Sequence, residues 1–151
     1  MSNGIAVAHG LGIQQPRVAL LAASDDVLPE LPVTVEIAEI VAMQERWLAE
    51  GALVDGPFLL DTAVCPSIAI RRDRSGPVVG HAEVLVAPDV ESGNIMAKGI
   101  TYFAKGRMAG LVVGAKAPLV VGSRADPPRT RLVCIAAGAL LASEAFGSPA
   151  S

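Results

Sequence analysis

LGIQQPRVALLAAS, residues 11–24, decides how the rest of the chain is read. Within it, residues 17–22 (RVALLA) are apolar from Val18 onward with no alternation, the pattern of a strand buried on both faces. A helical lead-in ends at Gly10–Gly12 before it. After it, Pro32 opens an amphipathic helix with Ile37, Ile40, Val41, Trp47 and Leu48 on one face and Gly51 as its C-cap. Further along, residues 53–55 read as a short strand closed by Gly56-Pro57, 61–70 as a helix and 84–87 as a strand. Residues 94–105 read as a helix, 111–113 and 119–121 as strands, and 131–145 as the final helix. This alternation predicts an α/β protein, a three-layer sandwich with a mixed, mostly parallel sheet and ligands near strand C-terminal ends. Residues 1–146 read as a single α/β domain and 147–151 as a flexible tail.

Composition agrees. Apolar residues make up 52% of the 151-residue chain and aromatics 3%, so the core is built from Ala, Val, Leu and Ile, which suit helices packed on a parallel sheet. No apolar run approaches the roughly 18–20 residues that cross a bilayer. Met1-Ser2-Asn3-Gly4 has no basic region before an apolar one, so no signal peptide, no membrane contact and a cytoplasmic location are expected. A net charge of −3 without a basic stripe interleaved with aromatics speaks against nucleic acid as a partner. The densest basic patch, RRDR at 71–74, is a solvated loop after a helix or a patch for an anionic ligand. Cys65 and Cys134 stand in apolar segments and read as small core residues, and His9 and His81 lack ligand spacing, so no metal site is expected.

Chemistry concentrates in GLVVGAKAPLVVGSRAD, residues 110–126. Two apolar runs flank a Gly-Ala-Lys-Ala-Pro turn, and the second stops on Ser123-Arg124, a hydroxyl and a guanidinium side by side at the end of a buried strand. A planar guanidinium grips phosphate or carboxylate, and a serine hydroxyl donates to an oxyanion without carrying charge. Before Ala-Asp-Pro-Pro the same pair also reads as an ordinary turn. Lys116 in its turn points either to solvent or to an anion. In PDVESGN, residues 88–94, a helix N-terminus could receive an anion, but Asp89 and Glu91 would repel it, which favours capping by Ser92 or Asn94.

VDGP (54–57), PDVESGN (88–94), GAKAP (114–118) and SRAD (123–126) occur in one colinear order, and with LGIQQPRVALLAAS and RLVCIAAGALL (131–141) they cover nearly the whole chain. In these stretches the chain resembles the phosphate acetyl/butyryltransferases, closer to the butyryl branch. The resemblance implies a fold related to the isocitrate and isopropylmalate dehydrogenases. It also implies reversible acyl transfer between coenzyme A and phosphate, with acyl-CoA and phosphate as substrates, coenzyme A as substrate rather than tightly bound cofactor, and no metal. In that reading Ser123 hydrogen-bonds the sulfur and Arg124 binds phosphoryl oxygens or the oxyanion. Asn94 and Lys98, one helical turn apart, face the cleft together, and the Lys116 ammonium attracts phosphate. Acetyltransferase members carry an aspartate several residues after Ser-Arg, where this chain has Pro127-Pro128-Arg129-Thr130-Arg131. Asp126 is the nearest carboxylate, and the base that takes the thiol proton stays open.

Family members are about twice this long, with two α/β domains and the active site between them. The chain therefore resembles a C-terminal half that lacks the groups of the first domain and is weakly active or inactive alone. The alternative is a non-catalytic oligomerisation or binding remnant. Apolar surface left uncovered predicts a homo-oligomer.

Overall fold

Residues 17–21 do form the central strand. The computed structural model describes residues 1–122 and 127–146, the last three by their backbone alone. The Ser123, Arg124 and Asp126 assignments and the 147–151 tail lie outside the described residues. By its contacts the chain divides into one unit of Met1–His9 and Ile13–Gly93 and a second of Gly10–Gly12 and Asn94–Ser151.

In the first unit, helix α1 (Ser2–Gly10) leads into β1 (Arg17–Leu21), followed by α2 (Pro32–Ala42), α3 (Gln44–Ala49), β2 (Leu53–Phe58), α4 (Leu60–Val64), α5 (Pro66–Arg71) and β3 (Val84–Val86). The sheet order is β2-β1-β3, and β1 is parallel to both neighbours, with Val18 opposite Val54 on one side and Val84 on the other. All four residues from Val18 to Leu21 are buried, as the unbroken apolar run predicts. Val18 and Leu20 join Ile5, Ile37, Trp47, Ala52 and Val54 in one core cluster. Ala19 and Leu21 alternate to the opposite face, where α4 touches β1, so helices cover both faces.

Several boundaries differ from the sequence reading, each for a local reason. The helix opened by Pro32 breaks at Met43, whose φ of −79° and ψ of 39° leave the helical region. The Gln44 side-chain amide repairs the break by donating to the carbonyls of Val41 (2.9 Å) and Val54 (3.2 Å). Gly51, at φ +72°, ends the second piece in the left-handed conformation a helix C-terminus favours. The helix expected over 61–70 is two short ones, because Pro66 cannot donate a helical N–H and holds Cys65 extended. Strand β2 continues past residue 55 through the cis Gly56-Pro57 bond to Phe58. Gly56 has no substitute there: at its φ of +151°, a Cβ would stand 2.7 Å from the Leu20 carbonyl oxygen.

Helix α6 (Val90–Tyr102) starts four residues before the expected position. In the second unit, β4 (Leu111–Val112) and β5 (Leu119–Val120) form an antiparallel pair, and α7 (Pro128–Phe146) packs on it. Gly138 permits that approach, since a Cβ there would lie 2.7 Å from Val120 Cγ2.

Candidate functional site

The α6 N-terminus corrects the capping assignment. Asp89, not Ser92 or Asn94, is the cap: its Oδ1 accepts the backbone N–H of Ser92 at 2.6 Å, and the Ser92 hydroxyl donates to the Asp89 carbonyl at 3.2 Å. The Ser92 N–H, then its hydroxyl, hold the Asp89 carboxyl below the usual range. A carboxylate thus occupies the place an anionic ligand would take. Asn94 and Lys98 follow inside the helix, both exposed and four residues apart, which puts them on one face.

Lys116 is exposed in the turn between β4 and β5, where Gly114 takes a φ of +102°. It shares the second unit with Asn94 and Lys98. Ser123, Arg124 and Asp126, outside the described residues, fall in sequence between β5 and the first turn of α7.

In the first unit two arginines of the basic patch are engaged by carboxylates, while Arg71 donates to the Ser67 carbonyl. Arg72 donates to Asp25 (3.2 Å), to Asp61 (3.1 and 2.9 Å) and to the Thr62 hydroxyl (2.7 Å), and Arg74 pairs with Asp26. Its role is to tie the loop after β1 to α4 and α5. His9 likewise links two carbonyls, those of Ile13 and Glu50, both at 3.0 Å.

Cys134 is buried as expected, but Cys65 is not a core residue. It is half-buried at the start of α5, with its Sγ 3.3 Å from the Ser67 hydroxyl. That contact and the backbone N–H of Ile68 pull the thiol below its ordinary pKa. Burial pushes the Asp55 carboxyl up, opposed by the Gly56 N–H that it accepts at 2.8 Å.

Sequence reasoning did not anticipate an apolar hollow of about 360 Å³ in the first unit. Leu20, Leu21 and Val86, at the C-terminal ends of β1 and β3, line it with Ile37, Ile40 and Trp47. The order β2-β1-β3 makes the gap between β1 and β3 the point where connections diverge, the usual place for a ligand on a parallel sheet. Arg46, whose guanidinium lies 4.7 Å from the Trp47 ring centre, stands at the hollow too. Such a space suits an apolar group. Among the described residues, no three His, Cys, Asp or Glu are grouped to hold a metal ion, and no helix is long and apolar enough to cross a membrane.

The chain matches a known family. The model for "Phosphate acetyl/butaryl transferase" matches residues 2–139. The chain belongs to the phosphate acetyl/butyryl transferase family. It is 41% identical to a probable phosphate butyryltransferase of Bacillus subtilis, over 97% of this chain and 48% of that protein. It is 41% identical to a phosphate acetyltransferase of Rhizobium meliloti, over 95% and 45%. A branched-chain phosphotransacylase from Enterococcus faecalis superposes with a TM-score of 0.82 at 32% identity, over 92% of this chain and 51% of that one. The chain thus spans about half the length of the relatives it matches.

Proposed function

We propose that the chain supplies one half of a phosphate acyltransferase that converts acyl-CoA and phosphate into acyl phosphate and coenzyme A, and the reverse. The observation that supports this reading is the family match, which runs from α1 through the β4–β5 hairpin into α7 and includes the stretch with Ser123 and Arg124. A phosphate oxygen attacks the thioester carbonyl, a tetrahedral oxyanion forms, and collapse breaks the C–S bond to release the thiolate. Arg124 binds the phosphoryl oxygens or the oxyanion, and Ser123 donates to the sulfur. Asp126 is the nearest carboxylate to handle the thiol proton. Asn94, Lys98 and Lys116 hold the anionic substrates, consistent with the exposure of all three. Coenzyme A is a substrate in this scheme, the site of action is the cytoplasm, and the enzyme is a homo-oligomer.

A binding or oligomerisation role without turnover is the second reading, favoured by the exposed apolar side chains of α7. The test joins the half of the Bacillus subtilis relative that this chain does not match to residue 1 and follows thiol release from butyryl-CoA and phosphate. The 151-residue chain alone should turn over at or near background, and the joined protein measurably. A joined protein that folds but releases no thiol above background favours the second reading.

A further inference from the structure

We propose that His9 is a proton-operated clamp. With both ring nitrogens protonated it ties the segment after α1 to the end of α3, and with one proton lost it lets one of the two ties go. The clamp belongs to the chain's own conformation and does not depend on the proposed acyl transfer.

The ring stands between two backbone carbonyls. Nδ1 lies 3.0 Å from the Ile13 oxygen and Nε2 lies 3.0 Å from the Glu50 oxygen. A carbonyl oxygen accepts and never donates, so each bond needs its proton on the ring nitrogen. A neutral imidazole has one N–H and one lone pair, whereas an imidazolium has two N–H groups. Only the imidazolium makes both bonds. In the neutral ring one nitrogen turns its lone pair toward a carbonyl oxygen, and the two repel.

The place suits the charge. His9 is in the last turn of α1 and Glu50 is the C-cap of α3, so the ring meets the negative ends of two helices. Gly51 lets the backbone lie close along the ring, since a Cβ there would stand 3.3 Å from His9 Cε1. His9 is exposed, so its proton exchanges with solvent.

What the clamp closes is a short detour of the chain. Gly10–Gly12 group with the second unit, while His9 and Ile13 on either side of them group with the first. The ring joins those two ends directly, beside the Ile13 N–H that donates to the Ala8 carbonyl at 3.0 Å. Gly12 takes a φ of +88°, which leaves the detour a freedom that the clamp restrains.

The surrounding charges are few. Helix α1 has no other ionisable side chain and residues 10–16 have none. Helix α3 brings Glu45 and Arg46, with Glu50 at its end. The Glu50 carboxylate accepts the Ser2 hydroxyl at 3.1 Å and Arg46 at 3.2 Å, and Ser2 first holds it below the usual range. It therefore stays ionised where an imidazole titrates, around pH 6.5. The Met1 amino group also acts on Glu50.

Amide hydrogen exchange of the 151-residue chain at pH 5.5 and pH 8, corrected for the intrinsic rate, tests this. The amides of Ile13, Glu50, Gly51 and Ala52 bond to carbonyls of α1 or α3 and report on the clamp. From the lower pH to the higher, their protection relative to that of residues 18–21 should fall about 3-fold or more. His9→Gln, whose amide donates from one end only, should lose the fall, and His81→Gln should match the parent. The Met1 amino group titrates alike in every variant, so its effect cancels. Protection of residues 18–21 shows that each variant has folded, and His9→Asn serves in the same way should His9→Gln not fold. A parent with a smaller fall, or a folded His9 variant that keeps half of the fall or more, overturns the proposal.

Discussion

Arg72 donates to the carboxylate of Asp25, 47 positions earlier, at 3.2 Å, and so fixes the loop that follows the central strand. The Asp25 side chain is only 6% exposed and also accepts the Thr62 hydroxyl at 2.9 Å and the Leu59 N–H at 2.7 Å. Arg72→Met would leave this sheltered carboxylate with neutral donors alone, which costs about 1–3 kcal/mol when a buried acceptor loses a partner. Arg46, paired with Glu50 on an exposed helix face, is the control: Arg46→Met should cost less than about 1 kcal/mol. Urea midpoints of the two variants measure the difference, and equal shifts would show that Arg72 is no more than a surface charge.

Two carboxylates give opposite pH dependences. Burial raises the Asp55 carboxyl, so the folded state holds its proton to higher pH than the unfolded chain does, and stability falls as pH rises from about 3.9 through that raised value. The Arg17 side chain, then its backbone N–H, lowers Glu83, so its contribution is present above about 4.3 and is lost as pH falls through the lowered value. Asp55→Asn should flatten the decline on the rising side, and Glu83→Gln the decline on the falling side. Stability measured by urea unfolding from pH 3 to pH 8 reads both, and an unchanged profile in Asp55→Asn would rule out its part.

Strands were the most legible elements. Residues 17–21, 84–86, 111–112 and 119–120 fall within a residue of the runs read from the sequence, because apolar clusters bounded by Gly and Pro carry that information locally. The Asn94–Lys98 spacing on one helix was legible for the same reason. What the chain hides is decided across distance or by competition between neighbours. Asp89 captured the cap that Ser92 and Asn94 could equally have taken, and the helix break at Met43 is bridged by Gln44, which reaches Val54 on the next strand. The partners of Arg72 lie 10, 11 and 47 positions away, and the apolar hollow draws its lining from four elements, whose adjacency only the order β2-β1-β3 creates.

The two cysteines should separate by reactivity. Cys134 is 1% exposed, and its sulfur accepts the Gly110 N–H at 3.4 Å. Cys65 is half-buried, with its thiolate favoured by the Ser67 hydroxyl first and the Ile68 N–H second. Since the thiolate is the attacking form, Cys65 should react with a disulfide reagent below the pH of about 8.5 at which an ordinary thiol half-ionises. Titration of the native protein should count one fast thiol and, after urea, a second. Cys65→Ser should abolish the fast phase and Ser67→Ala should shift its pH midpoint upward, whereas two fast thiols in the native state would contradict the burial of Cys134.

Arg124 carries the sharpest test of the proposed chemistry. If its guanidinium binds the phosphoryl oxygens or the oxyanion, Arg124→Gln removes a charge-assisted donor and should lower turnover of the joined protein by about 10²- to 10³-fold with little change in melting temperature. Arg124→Lys should recover only part of the loss, because an ammonium keeps the charge but not the planar fork. Lys98→Gln and Lys116→Gln remove charge at a greater reach and should act mainly on KM for phosphate rather than on kcat. Thiol release from butyryl-CoA, measured across phosphate concentrations beside thermal melts, separates these outcomes. Turnover close to the parent in Arg124→Gln, or activity lost only in step with the melting temperature, would make Ser123-Arg124 an ordinary turn before Pro127-Pro128 and move the chemistry elsewhere in the chain.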